Sequence, residues 1–297
     1  MNSPRLTIVT PSFQQAQYLE QTLDSVLSQN YPNLEYLVID GGSTDGSIDI
    51  LRKYEKHLTF WVSEKDRGQA HALNKGFARA TGTIQAYINS DDYYEPGVFA
   101  RAAELLTDAN GTKSRTLLVG NVVNFGGEKT TLSRYTHPAG HEQLRWFAEN
   151  PIHQPGTFWT ADLMRDFGPF DESLRYTFDF DFFAKIRFRG DVIPLGVDEP
   201  FAHFRWHEQS KTMSSWPKFE AEFEQVRRRI TEHCPALRAP AARIRAEKLQ
   251  VQCLYSRDAG ESRRAWAELW QSIQEYPWIA MRRRTAGCVR RLLTRTA

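Results

Sequence analysis

The residues best suited to chemistry stand where apolar runs stop. Thr83 to Ile88 leads straight into Asn89-Ser90-Asp91-Asp92. Adjacent carboxylates repel, so a positive group must lie near if both are to stay ionised. A hard divalent cation with oxygen ligands and retained waters is the natural partner, above all one shared with a diphosphate. The same spacing also suits a helix start, with Asp92 capping the segment through Glu95 and Pro96; on the residues alone both readings stand. Asp40 ends a second run and is followed by Gly41-Gly42-Ser43-Thr44-Asp45-Gly46. A buried carboxylate there can accept from a base or a ribose, and the glycines let a ligand approach the backbone. The bland alternative is a turn, in which Asp45 caps the next helix. No Lys-Ser/Thr follows these glycines and no GxGxxG follows any strand, which removes the Walker and dinucleotide signatures. Phe178-Asp179-Phe180-Asp181 sets two acids at a helix start, where their charge favours the helix dipole. Aromatic neighbours would also raise a carboxyl toward a pKa useful to a general base. Asp179 and Asp181, two residues apart, would point different ways.

Positioning these residues requires a particular scaffold. Leu6–Val9, Leu34–Ile39, Leu58–Val62 and Thr83–Ile88 read as buried strands, with helices predicted over Tyr18–Gln29, Ser47–Lys56 and Gln69–Ala80. Strand and helix alternating at this spacing is the pattern of parallel βαβ units. In such sheets ligands gather at the carboxyl ends of the strands, which selects the loops beginning at Thr10, Asp40, Ser63 and Asn89. Further on, Leu117–Val123, Gln154–Trp159, Val192–Val197 and Phe201–Trp206 read as strands and Phe178–Arg187 as a helix. Beyond Trp216 the pattern is helical, with breaks expected at Pro235, Pro240, Gly260 and Pro277. Trp146, Phe158 and Trp159 suit either sugar stacking or a core.

The chain has 297 residues, 41% hydrophobic and 25% charged, which is a globular balance that excludes wholesale disorder. No apolar run reaches the roughly 18 residues that cross a bilayer, and the first ten residues lack the features of a signal peptide. Three cysteines at no metal-ligand spacing argue for a reducing compartment and against a disulfide framework or a zinc site. The net charge of +2 conceals a division. From Arg227 onward there are 16 Lys and Arg against 6 Asp and Glu, leaving a body of net −8 and a tail of net +10. An acidic body argues against nucleic acid as its ligand.

Several motifs in order resemble the family 2 inverting glycosyltransferases: Thr10-Pro11-Ser12-Phe13, Tyr18-Leu19, Ser25 to Gln29, Tyr31 to Glu35, Ile39 to Ser47, Ser63 to Gln69 and Ala72 to Gly76. The resemblance covers roughly the first 210 residues. It implies an α/β GT-A fold, with a Rossmann-like, mostly parallel central sheet flanked by helices and followed by a helical extension. The implied division is a catalytic domain over 1–215 (nucleotide-sugar half 1–110, acceptor half 111–215) and a basic helical extension over 216–297. By the same resemblance, Thr10, Pro11, Ser12 and Asp40 match the nucleobase and ribose pocket, Asp66 and Gly68 a loop beside the base, and Lys75 the surroundings of the diphosphate. Asn89-Ser90-Asp91 occupies the place of the Asp-X-Asp motif, with an amide in the first position. Metal duty, for Mg²⁺ or Mn²⁺, then falls on Asp91, helped by Asp92 and by His207. The last lies in a segment, Phe204 to Thr212, that resembles the one closing over the donor. Phe178 stands where the family often has Glu, leaving Asp179 as the candidate base. His153-Gln154-Pro155 lies where the acceptor half begins.

The implied reaction is inverting transfer from a nucleoside diphosphate sugar, a UDP-sugar favoured, to a hydroxyl of a glycan or lipid-linked acceptor in surface polysaccharide synthesis. The alternatives are a catalytically impaired sugar- or nucleotide-binding scaffold, which Asn89 and Phe178 would suit, and a sugar-phosphate nucleotidyltransferase. The latter would want a Gly-rich basic loop after the first strand, which Thr10 to Gln15 does not supply. The expected location is cytoplasmic or at the inner membrane face. The tail, where Arg282-Arg283-Arg284 and Arg290-Arg291 neighbour Trp266, Trp270 and Trp278, suits either peripheral contact with an anionic membrane or packing on the body.

Overall fold

The computed structural model describes residues 3–108, 111–135, 142–207, 210–211 and 216–294, without the side chains of Glu142 and Trp216. Glu208, Gln209 and Thr212 of the expected closing segment lie outside the described residues. Two compact units emerge, one of Met1–His137 with Ile152–Val226, the other of Pro138–Pro151 with Arg227–Ala297. The first therefore takes in residues past 215, and the second includes a stretch from the middle of the chain.

The first unit is built on a nine-stranded mixed sheet. Its strands are β1 (Leu6–Ser12), β2 (Leu34–Asp40), β3 (Phe60–Ser63), β4 (Ile84–Tyr87), β5 (Tyr93–Tyr94), β8 (Leu117–Phe125), β9 (Thr131–Ser133), β10 (Thr157–Thr160) and β11 (Leu195–Arg205); β6 (Thr107–Asp108) and β7 (Gly111–Thr112) form a separate hairpin. The order is β3-β2-β1-β4-β10-β8-β11-β5, with β9 on the flank of β8. Strands β3, β2, β1 and β4 run parallel, β10 is antiparallel to both its neighbours, and β8 and β11 are parallel again. Helices α1 (Ala16–Leu27), α2 (Ser47–Tyr54) and α3 (Gln69–Phe77) make the crossovers between the four parallel strands. On α1, Leu19, Leu23 and Val26 recur at helical spacing and are fully buried against β1 and β2 residues Ile8 and Val38.

Helix α4 (Val98–Leu106) closes one face of the sheet with Phe99, Ala102 and Leu106. After α6 (Ala161–Phe167), α7 (Phe178–Arg189) is buried on nearly every side, and Phe182 sits edge-on to Trp159 at 5.4 Å. Trp146, Phe158 and Trp159 are fully enclosed, so all three are core rather than sugar platforms. The two strands expected around Val192–Trp206 are one strand, β11. Its register on β8 shifts at Pro200, which has no N–H to give the ladder and is absorbed by an irregularity.

In the second unit α5 (Glu142–Ala148) joins the end of α8 (Trp216–His233), α9 (Arg238–Asp258), α10 (Ser262–Glu275) and α11 (Arg283–Leu293). Cys253, Ala265, Leu269 and Cys288 form its buried centre, flanked by Leu254, Val289 and Leu292. Breaks fall at Pro235, Gly260 and Pro277 as the sequence indicates, but α9 runs through Pro240. That proline stands in the first helical turn, where the N–H it lacks would have no intrahelical partner.

Candidate active site

Because β3, β2, β1 and β4 are parallel neighbours, the loops after Ser12, Asp40, Ser63 and Tyr87 share one edge of the sheet. Asp40 is fully buried there. Its Oδ2 accepts from the N–H groups of Gly42 (3.0 Å) and Ser43 (2.8 Å) and from Ser63 Oγ (2.6 Å), and its Oδ1 from Ser43 Oγ (2.6 Å). Four donors saturate a carboxylate, so Asp40 shapes the loop around itself. Gly41 donates its N–H to the Ser12 carbonyl at 2.8 Å, and a Cβ on Gly41 would meet Asp66 Oδ2 at 2.7 Å. Only glycine lets these two loops close on one another. Asp66 in turn accepts from Gly68 N–H at 2.8 Å. Thr10 is enclosed and bonded to Tyr36 Oη at 3.0 Å, and Pro11 is buried. Ser12, 3% exposed, has no partner for its hydroxyl among the described residues, and Phe13 stands out at the rim beside Gly41. This part of the sheet edge thus presents backbone, one uncommitted hydroxyl and one exposed aromatic face. Asp45 braces it from outside by accepting from Ala16 N–H (2.8 Å) and Ser47 N–H (3.1 Å), at the starts of α1 and α2.

The segment after β4 separates its two aspartates. Asp91 Oδ2 lies 2.9 Å from His207 Nε2, and the His207 ring rests on Tyr18 with centroids 4.9 Å apart. A carboxylate and an imidazole converging in this way suit a divalent ion whose remaining ligands are diphosphate oxygens and waters. Among the described residues no third His, Cys, Asp or Glu joins them. Asp92 is not placed with the pair. It is 1% exposed, its Oδ1 accepts from Arg205 N–H (2.9 Å) and its Oδ2 from Asn89 Nδ2 (3.3 Å). Burial and the adjacent Asp91 charge push its carboxyl well above the ordinary range. Its bonds would have to break before it reached a metal.

Asn89 belongs to a chain of directed hydrogen bonds. Lys211 Nζ donates to Gln69 Oε1 at 2.8 Å, Gln69 Nε2 to Asn89 Oδ1 at 2.6 Å, and Asn89 Nδ2 to Asp92. An ammonium has only donors, so it fixes the orientation of the Gln69 amide and then of Asn89. An aspartate at 89 would still accept from Gln69 but would set a second carboxyl against Asp92.

Asp179 sits half-buried in the first turn of α7. Removal from water raises its carboxyl to about 6, against the pull of its own and Phe180's N–H groups and of Lys211, while Glu222 pushes it further up. The charges of Asp91, Asp179 and Asp66 all act on the Lys211 ammonium and favour its charged form. The surrounding protein and Arg175 hold that ammonium below the ordinary lysine range, a pull moderated by its exposure to solvent. Asp181 is enclosed and paired with Lys185 at 2.7 Å, one turn along the helix. Glu222, on α8, accepts from the N–H groups of Arg175 (3.0 Å), Tyr176 (2.8 Å) and Thr177 (3.0 Å), and so holds the approach to α7.

Not every residue singled out from the sequence joins this cluster. Lys75, in the last turn of α3, is engaged by Glu64 at 2.8 Å. Gln154 donates to the Tyr87 carbonyl at 2.7 Å and supports the end of β4, and Ser90 is buried. Three residues went without a role in the sequence reading: Gln69, Lys211 and Arg205. Arg205 donates from Nε to the Asp91 carbonyl at 3.0 Å and bonds Gln21, with its guanidinium 4.6 Å from both the Tyr18 and Phe125 rings. All three stood inside the matching motifs, but nothing in their spacing distinguishes them from their neighbours.

Residues 7–165 match the model described as glycosyl transferase family 2. The chain belongs to that family. Among sequence relatives of this family 2 chain, a putative teichuronic acid biosynthesis glycosyltransferase, TuaG, of Bacillus subtilis is 36% identical over 110 residues. That match covers 35% of this chain and 43% of the Bacillus protein, so the chain matches less than half the length of that relative. A PGL/p-HBAD biosynthesis glycosyltransferase of Mycobacterium bovis is 29% identical over 186 residues, 61% of this chain and 69% of that protein. In fold, S. aureus TarS 1–349, solved with UDP-GlcNAc, superimposes with a TM-score of 0.64 at 21% identity, covering 92% of this chain and 82% of that one. The mannosyltransferase PcManGT of Pyrobaculum calidifontis, solved with GDP-Man and Mn²⁺, gives 0.54 at 20% identity, covering 98% and 84%. The fold is the GT-A glycosyltransferase fold.

Proposed function

We propose that this family 2 protein transfers a sugar from a nucleoside diphosphate sugar to an acceptor hydroxyl with inversion at the anomeric carbon. The observation that carries the reading is the division of labour around Lys211: the Asp91–His207 pair on one side and Asp179, with a carboxyl near 6, on the other. Asp179 takes the acceptor proton as the hydroxyl attacks, and no covalent nucleophile is required when attack is in line with the departing group. Asp91 and His207 would hold Mg²⁺ or Mn²⁺, which would supply positive charge for the departing diphosphate; PcManGT, of the same fold, was solved with Mn²⁺. Lys211 adds a second positive charge to the same region. Ser12, Gly41, Asp66 and Gly68 line the nucleoside pocket, Asp40 and Thr10 hold its shape from behind, and Phe13 offers a face to the base.

A uridine diphosphate sugar is the favoured donor, in keeping with TarS and its UDP-GlcNAc, with GDP-mannose the contrasting case. A surface glycan or lipid-linked acceptor follows the names of the Bacillus and Mycobacterium relatives.

The test is release of free nucleoside diphosphate from a donor panel in the presence of acceptor extract and Mn²⁺, with the anomeric configuration of the product read by NMR. Asp179→Asn is expected to keep donor and Mn²⁺ binding and lose about 10²–10⁴-fold in turnover, whereas Asp91→Ala loses turnover together with the Mn²⁺ dependence of donor binding. In the wild type the rate should fall as pH drops through about 6, because the base must be ionised to act. A healthy Asp179→Asn enzyme beside a crippled Asp181→Asn one would refute the base assignment.

A further inference from the structure

The second unit carries an exposed apolar surface to which the proposed transfer assigns no role. Of the ten large hydrophobic side chains left exposed among the described residues, six lie between Tyr255 and Leu293. Trp270 is 62% exposed, Trp278 67% and Met281 74%. On α10, Trp266, Trp270 and Ile273 follow one another at i, i+4 and i+7, a single stripe of the helix. That stripe runs into an open groove of about 520 Å³ lined by Ile273, Ala280, Val289 and Leu293, with Arg290 on its wall. Exposed apolar side chains collected beside a groove mark an interaction site.

The charge around the groove indicates what fits it. Arg243, Arg245, Arg257, Arg264 and Arg282 of this unit each face a carboxylate: Glu247, Glu275, Asp258, Glu268 and Glu247 again. Arg263, Arg283, Arg284, Arg290 and Arg291 have no carboxylate partner among the described residues, and all five are exposed. They lie on the two helices that carry the stripe and the groove.

We infer that this face of α10 and α11 docks on an anionic phospholipid bilayer. Tryptophans and Leu293 enter the boundary between headgroups and acyl chains, the groove takes acyl carbon, and the unpaired arginines meet lipid phosphates. A two-fold pairing with a second copy is the poorer fit, since an isologous contact would bring the same unpaired arginines of both copies together. No helix among the described residues is long and apolar enough to cross a membrane, so the contact is with the surface. This inference needs no donor or acceptor and stands whether or not the transfer reaction is as proposed.

The experiment is flotation of the full chain, without nucleotide, on phosphatidylcholine vesicles with and without phosphatidylglycerol, at low and high salt. Binding is expected only with the anionic lipid and should weaken as salt screens the charge. Arg290→Gln with Arg291→Gln should each reduce partition roughly fivefold, and Trp270→Ser with Trp278→Ser should abolish it. Quenching of wild-type tryptophan fluorescence by brominated phosphatidylglycerol tests insertion without any substitution, which covers the event that a variant fails to fold. Absence of binding and quenching at low salt overturns the inference. So does a concentration-dependent dimer in sedimentation that is lost in the tryptophan variant while vesicle binding is absent.

Discussion

Asn89, where the sequence resemblance sets the first acid of an Asp-X-Asp motif, has a local structural role. Its side chain both accepts and donates, linking the Gln69 amide to the buried Asp92 carboxyl; an ionised aspartate would keep the acceptor role and lose the donor. Asn89→Asp would leave Asp92 Oδ2 facing a second acceptor. We expect it to cost about 1–3 kcal/mol at neutral pH, the range for a buried polar group stripped of its partner. The sign with pH follows from the raised Asp92 carboxyl. A carboxyl that titrates higher in the folded state than in the unfolded one weakens the fold as pH rises above the ordinary carboxylate range. The deficit of Asn89→Asp should therefore shrink on acidification, as thermal melts at several pH values would read; a deficit that grows toward acid would contradict the hydrogen-bond chain.

At the scale of elements, the candidate base depends on a helix start that another helix holds. Glu222 of α8 collects the N–H groups of Arg175, Tyr176 and Thr177 just before α7, and its charge acts on Asp179. Glu222→Gln removes the charge and keeps one acceptor oxygen. Asp179 should then titrate lower, so the acid limb of the pH–rate profile moves to lower pH, while donor affinity is retained. An unmoved limb would mean that Glu222 acts only as a brace. The parallel strands β3, β2, β1 and β4 work in the same way for the pocket: each delivers one loop, and the crossovers α1 to α3 fix their spacing.

For the whole molecule, the two units have separate cores. The first is large and aromatic, whereas the second centres on Cys253, Ala265, Leu269 and Cys288. Chains with two such cores need not unfold in one step. Leu269→Ala should cost about 2–5 kcal/mol in a transition of the second unit alone, with the nucleoside diphosphate binding proposed for the first unit unchanged. Urea unfolding followed by circular dichroism and by nucleotide binding would separate the two. A single transition that moves as one, taking nucleotide binding with it, would show that the units fold together.

Much of this was legible in the residues. The alternation of strands and helices through Ile88, the loops that end them and the acids of those loops follow from short-range hydrophobic periodicity and turn chemistry, which are local properties. So does the helical tail, with its breaks at Pro235, Gly260 and Pro277. What remained for tertiary structure was decided by packing between segments far apart in sequence. Periodicity is blind to a bulge, so the expected pair of strands near Pro200 is one strand. Composition gave Trp146, Phe158 and Trp159 two fates, and only burial on all sides made them core. Asp91 and Asp92 are adjacent in the chain, yet one turns to His207 while the other is held by Arg205, 113 residues away. Lys211 meets Gln69, 142 residues earlier, and feels the charges of Asp66, Asp91 and Asp179 only because the fold brings these segments together. Such assignments depend on direction and burial in three dimensions, which residue type and spacing do not encode.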